Sequence, residues 1–177
     1  GTRYTFNAFT TAASCDFWER SAASPLNTCF NLPNLFTNFQ GSFFWGSEDV
    51  RIGGVNPNGQ LTSSPITVTN YNSLMVSLYF AATNGGFLRW ENTDEVNIQA
   101  SFDGGPFTTV GRFIGKDPGS GGDLVIDANL NGIGDPGETV VVSTPGFTRY
   151  SFSIPGTGNS LRVRVETNQS GGSEEMG

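Results

Sequence analysis

Apolar and polar residues alternate with period two along most of the chain. In "EVNIQASF" Val96, Ile98, Ala100 and Phe102 fall on one face and Glu95, Asn97, Gln99 and Ser101 on the other. In "SLRVRVET" Leu161, Val163 and Val165 oppose Arg162, Arg164 and Glu166. A period of two is that of a strand with one buried and one wet face. "RYTFNAF", "PITVT", "SLMVSLYFA", "FTTVGRFI", "DLVI", "TVVVS" and "TRYSFSI" predict further strands, and those apolar on both faces are expected to be central. Turn chemistry separates them: "DGG" at 103–105 predicts a hairpin, and "NPNG", "NGG", "DPGSGG" and "PGTGN" mark other reversals.

About nine short strands without a helical period predict an all-β protein, an antiparallel β-sandwich of jelly-roll type. A chain of 177 residues fits one domain, 1–177. Residues 10–48 are aromatic-rich and less regular, and are expected to wrap the sandwich before the strand "SFFW". Residues 168–177 read as a polar Gly/Ser-rich tail.

Charge narrows the partners. The net charge is -7, with one lysine and eight arginines dispersed along the chain, so the basic stripe needed for nucleic acid is missing. No apolar run is long enough to insert in a membrane as a helix. Cys15 and Cys29 would close a loop of about 15 residues if joined, worth roughly 3 kcal/mol on a chain-entropy account. The low lysine content and the Thr/Asn/Gly usage favour that disulfide and a secreted setting; two buried thiols are the alternative. The absence of histidine removes Ser-His-Asp and Cys-His nucleophile pairs and the usual catalytic zinc sites.

The motif with the most chemistry is "DANLNGIGDPGE", residues 127–138. Asp127, Asn129 and Asn131 stand at positions 1, 3 and 5, Gly132 at 6, Ile133 at 7, Asp135 at 9 and Glu138 at 12. This is the D-x-[DN]-x-[DN]-G-x5-E spacing of a calcium loop. Ca²⁺ takes six to eight hard oxygens, which the alternating side chains, the Ile133 carbonyl and both oxygens of Glu138 would supply. An Asx-rich turn without metal is the competing reading. Strands on both sides of the loop imply a structural Ca²⁺ rather than the helix-opening response of a sensor.

Other acidic residues, Glu48, Asp49, Asp94 and Glu175, suggest either a second metal site, a glycosidase-like pair of carboxylates, or solvated loops. Phe87 and Trp90 in "NGGFLRWENTDE" suggest a ring platform for a sugar, against the commoner fate of core packing.

"FWER", "GSFFWGSEDV", "PITVTNYNSLMVSLYFAA", "DEVNIQASFDGGPFTTVGRF", the calcium loop, "FTRYSFSIPGTGNSLRVRVET" and "SGGSEEMG" together resemble the galactose-binding-like and MAM-like jelly rolls of large secreted and cell-surface bacterial proteins. That resemblance implies a non-enzymatic, calcium-stabilised module for adhesion, with a glycan or a surface protein as partner. In such domains the acidic pair, here Glu174 and Glu175, is followed by one more strand. This sequence stops short of it: either it is cut at that point, or the sandwich lacks one strand and has an open sheet edge that a strand such as "RYTFNAF" of another copy would fill, giving a self-assembling filament subunit. A carbohydrate-active enzyme built on two carboxylates is the third expectation.

Overall fold

The computed structural model describes residues 4–6, 9–11, 16–22, 43–48, 50, 58–84, 90–116, 123–141, 146–169 and 174–176. Among the described residues fourteen strands run in chain order: β1 (Tyr4–Phe6), β2 (Phe9–Thr11), β3 (Asp16–Ala22), β4 (Phe43–Glu48), β5 (Gly59–Ser63), β6 (Ile66–Thr67), β7 (Leu74–Phe80), β8 (Ala82–Asn84), β9 (Glu95–Phe102), β10 (Thr108–Gly115), β11 (Leu124–Ile126), β12 (Thr148–Ile154), β13 (Ser160–Asn168) and β14 (Glu174–Met176). Every strand pairing is antiparallel, and no helix occurs among the described residues.

The largest sheet has seven strands in the order β1-β5-β13-β9-β10-β11, with β6 also on β13. β7 and β12 form a two-stranded ribbon, and β2-β3-β4-β14-β8 form a five-stranded sheet. One apolar cluster draws on all three sheets: Val96, Ile98, Phe113 and Leu124 from the large sheet, Phe80 from the ribbon, and Trp18 and Ala82 from the third. A second cluster, Val68, Ala100, Ile154 and Leu161, lies against Leu74, Phe102 and Val110. The architecture is therefore sandwich-like, with the seven-stranded sheet as one layer. The Trp18 indole N–H donates to the Gln60 carbonyl at 3.3 Å, a polar link between layers beside the apolar ones.

The β9–β10 hairpin turns as its sequence predicts. Asp103 and Gly104 have φ of 51° and 77°, and the Gly105 N–H donates to the Phe102 carbonyl at 2.9 Å. Positive φ at both central residues is the requirement of a type I′ turn, which Asp-Gly meets at low cost. Asp103 also accepts the Asn159 and Ser160 N–H groups at 3.0 and 2.8 Å, tying this turn to the start of β13.

Several expectations change. Residues 10–48 contribute β3 and β4 as well as the end of β2, so the described part of the segment read as irregular is sheet. Within 168–177, β14 pairs with both β4 and β8. "RYTFNAF" divides into β1 and the start of β2, and β1 pairs with β5 of the same chain. "TVVVS" contributes only a bridge from Val140 to Val125 among the described residues. The polar face of β9 is not wet throughout: Asn97 and Ser101 are buried, because Arg112 covers the first and the hydroxyl of the second bonds to the Gly105 carbonyl.

Candidate functional site

The loop from Asp127 to Glu138 leaves the end of β11 and returns along it. Its neck is closed by main-chain bonds from Ile126 N–H to the Thr139 carbonyl at 2.9 Å and from Val141 N–H to the Leu124 carbonyl at 2.7 Å. Both flanks are thus held to one another, and the twelve residues between them cannot swing as a free segment. Gly132 takes φ of 80°, the left-handed conformation that its place at the sharp turn requires. Leu130 shares that region with φ of 57°.

Asp127 is the anchor. It is 1% exposed and accepts the Asn131 N–H at 3.1 Å on Oδ1 and the Gly132 N–H at 2.9 Å on Oδ2. Oδ2 also lies 2.9 Å from Nη1 of Arg112. Asn129 and Asn131 use their Oδ1 atoms on the Asn131 and Ile133 N–H groups at 2.9 and 2.8 Å. Their Nδ2 atoms both donate to Asp135 Oδ2, at 3.0 and 2.9 Å. Glu138 closes the loop from the other side: Oε1 accepts the Ala128 N–H at 2.8 Å and Oε2 the Asp135 N–H at 2.9 Å. All five side chains that the sequence assigned to the loop therefore join one hydrogen-bonded unit, with Ile133 tied in through its main chain.

Among the described residues, no group of three or more Asp, Glu, His or Cys side chains is gathered to hold a metal ion. The reason is visible in the loop: Asp127 is turned to Arg112 and two N–H groups, and Glu138 to two others. Half of the motif's six ligand positions, Asn129, Asn131 and Ile133, offer amide or carbonyl oxygens rather than carboxylates. Each Oδ1 keeps a second lone pair after accepting one N–H. An all-oxygen donor set of this kind suits a hard cation.

The residue that sequence reasoning missed is Arg112. It lies opposite Asp127, whose N–H donates to the Arg112 carbonyl at 3.0 Å, one step beyond the β10–β11 pairing of Phe113 with Ile126. Its Nε donates to Asn97 Oδ1 at 2.8 Å and stands 3.3 Å from Glu95 Oε2. The available signal was an arginine in β10 on the polar phase of a hairpin that also carries Asn97 and Glu95.

Of the other expected site residues, Asp94, Trp90, Glu48 and Glu175 fall within the described strands and turns. Asp94 is fully buried, and its Oδ2 accepts the Glu91 N–H at 2.6 Å, which makes it the cap of the turn before β9. Glu48 and Glu175 are direct cross-strand partners on β4 and β14. Asp49 lies outside the described residues, as do Cys15, Cys29 and Phe87. Trp90 is only 2% exposed and belongs to the core cluster, so its ring face has no room for a sugar.

Comparison of the chain with family models, with curated proteins and with solved structures gave no match. The fold and the loop define an all-β protein of antiparallel sheets.

Proposed function

We propose that this chain is a secreted or cell-surface, non-enzymatic β-sandwich of jelly-roll type, stabilised by Ca²⁺ in the 127–138 loop and serving adhesion to a glycan or a surface protein. The observation that carries the reading is the hydrogen-bonded unit of Asp127, Asn129, Asn131, Asp135 and Glu138 around a left-handed Gly132. Those five side chains and the Ile133 carbonyl would hold the ion. Bound calcium would supply positive charge among Asp127, Asp135 and Glu138 and so relieve their mutual repulsion. The effect is to fasten a strand-to-strand connection, since the loop's neck is already paired.

A non-enzymatic role accords with how the described carboxylates are used. Asp94, Asp103, Asp127 and Glu138 all accept main-chain N–H groups, a holding task rather than proton transfer. Among the described residues, Tyr71 and Tyr79, 66% and 43% accessible, present aromatic rings at the surface where a partner could meet them.

Calcium titration of the thermal melt tests the ion. A ligand that binds only the folded form at about 100 times its Kd adds roughly 2.7 kcal/mol. The melting temperature should rise in millimolar Ca²⁺ and fall on chelation; a melt indifferent to both would sink the reading.

One observation favours assembly as the second reading. The β7–β12 ribbon has no third strand among the described residues, and Met75 and Tyr79 project from it with 61% and 43% exposure. Such an edge suits strand addition from another copy. Because β1 is engaged by β5, the donor would be a different segment. Sedimentation velocity with and without Ca²⁺ separates the two: polymers support assembly, and a compact monomer at all loadings counts against it.

A further inference from the structure

Arg112 puts a full positive charge 2.9 Å from the first residue of the loop. The pair is shielded, with the Arg112 side chain 17% exposed and that of Asp127 fully buried. The guanidinium is itself held in place, by Asn97 at 2.8 Å, by Glu95 at 3.3 Å, and by the ladder that sets Arg112 opposite Asp127. Gly132 closes over it: a Cβ there would come within 3.1 Å of Nη1. A buried carboxylate left without a counter-charge is strongly destabilising. Arg112 removes that penalty whether or not an ion is present.

We infer that Arg112 is the resident counter-ion of the loop: it keeps Asp127 neutralised and the Asn131–Gly132 turn closed without metal, and it lowers the loop's affinity for calcium. The inference rests on the calcium reading above. A dication bound to the Asp127 carboxylate shares that group with the guanidinium, and the two positive charges repel in a partly desolvated site. The loop is thereby set towards the weak range of extracellular calcium modules, about 10⁻⁴–10⁻³ M. Its fold does not depend on saturation; calcium adds to a turn already formed.

The experiment uses the full chain. Calorimetric titration with CaCl₂ is carried out on the wild type, Arg112→Gln and Arg112→Lys, and amide hydrogen exchange of Asn131 and Gly132 is followed after chelation. Arg112→Gln should bind calcium about tenfold or more tightly, and Arg112→Lys, which keeps the charge, should stay near the wild type. In the chelated wild type both amides should remain protected. Equal or weaker binding by a folded Arg112→Gln overturns the inference while leaving the calcium reading intact. If Arg112→Gln does not fold, loss of both amide protections in the chelated wild type overturns it instead, and retention supports it. Absence of any calcium heat in folded wild type and folded Arg112→Gln overturns the calcium reading, and the tuning role with it.

Discussion

Phe80 of β7 and Phe113 of β10 lie face to face, their ring centroids 4.3 Å apart and their planes 7° from parallel. The contact joins the two-stranded ribbon to the seven-stranded sheet. The rings of Tyr150 and Phe152 of β12 stand nearly perpendicular to that of Phe113, at 78° each, with centroids 5.1 and 5.7 Å away. Phe113→Ala should cost about 3–5 kcal/mol, the usual range for emptying a buried aromatic site. A urea unfolding series checks it. In a double-mutant cycle, Phe80 and Phe113 should couple by about 0.5–1.5 kcal/mol beyond their separate losses.

Gly115 and Gly59 are among the glycines required by space. A Cβ on Gly115 would come within 1.9 Å of the Glu91 carbonyl oxygen, which is main chain and cannot step aside without moving the turn capped by Asp94. A Cβ on Gly59 would stand 2.8 Å from both Trp18 and Thr167 side chains. Overpacking of this kind costs about 1–3 kcal/mol, occasionally more. Gly115→Ala should therefore be the worse of the pair. Their unfolding midpoints measured side by side decide the order.

In the loop, Asp127→Ala and Glu138→Ala should each lower the melting temperature in calcium and leave little further loss when chelator is added. Asp127→Ala should also destabilise the chelated protein, because it frees the Gly132 N–H, takes one of two acceptors from the Asn131 N–H and removes the closest counter-charge of Arg112. A calcium-dependent melt unchanged in both variants would refute the assignment.

Stability at the extremes of pH should change through two groups. The Ser160 N–H, with that of Asn159 and the Ser160 hydroxyl, holds the Asp103 carboxyl below its ordinary 3.8, against a smaller opposing effect of burial. A depressed folded value gives stability that is present above 3.8 and lost as pH falls through the lower folded value. Asp103→Asn should remove this part of the acid loss. Burial pushes Tyr150 above 10.0, opposed by the Thr148 hydroxyl. Its contribution is complete below 10.0 and disappears as pH rises through the folded value, so Tyr150→Phe should flatten the alkaline limb. Differences in melting temperature between wild type and variant, followed across pH, isolate each group.

The elements most legible in the sequence are those whose alternation is unbroken. "EVNIQASF" and "TRYSFSI" coincide with β9 and β12 end for end. β3, β5, β8 and β14 escaped because they are short or mix aromatic and charged residues without a clean period. Burial was less legible than strand position. Periodicity assigns a face to each residue but cannot see that Gln99 accepts Arg164 at 2.6 Å, that Arg164 lies 4.1 Å from the Phe107 ring centre, or that Arg112 covers Asn97. Trp90 takes the commoner of its two readings: its neighbours in the sequence are turn-like, while its own side chain enters the core. Local spacing revealed the loop, since Asx side chains and Gly132 act on their near neighbours. Its counter-ion depends on the β10–β11 register and has no local signature.

β14 lies between β4 and β8, so the five-stranded sheet is closed from its middle by residues 174–176. In order of synthesis, β2, β3 and β4 emerge early and β8 later, and each of β4 and β8 presents a bare edge until the segment that bridges them has left the ribosome. Completion of that layer is consequently a late, non-local event, of the slow kind that long sequence separation imposes. During that interval the chain depends on whatever shields the two waiting edges from strands of neighbouring molecules.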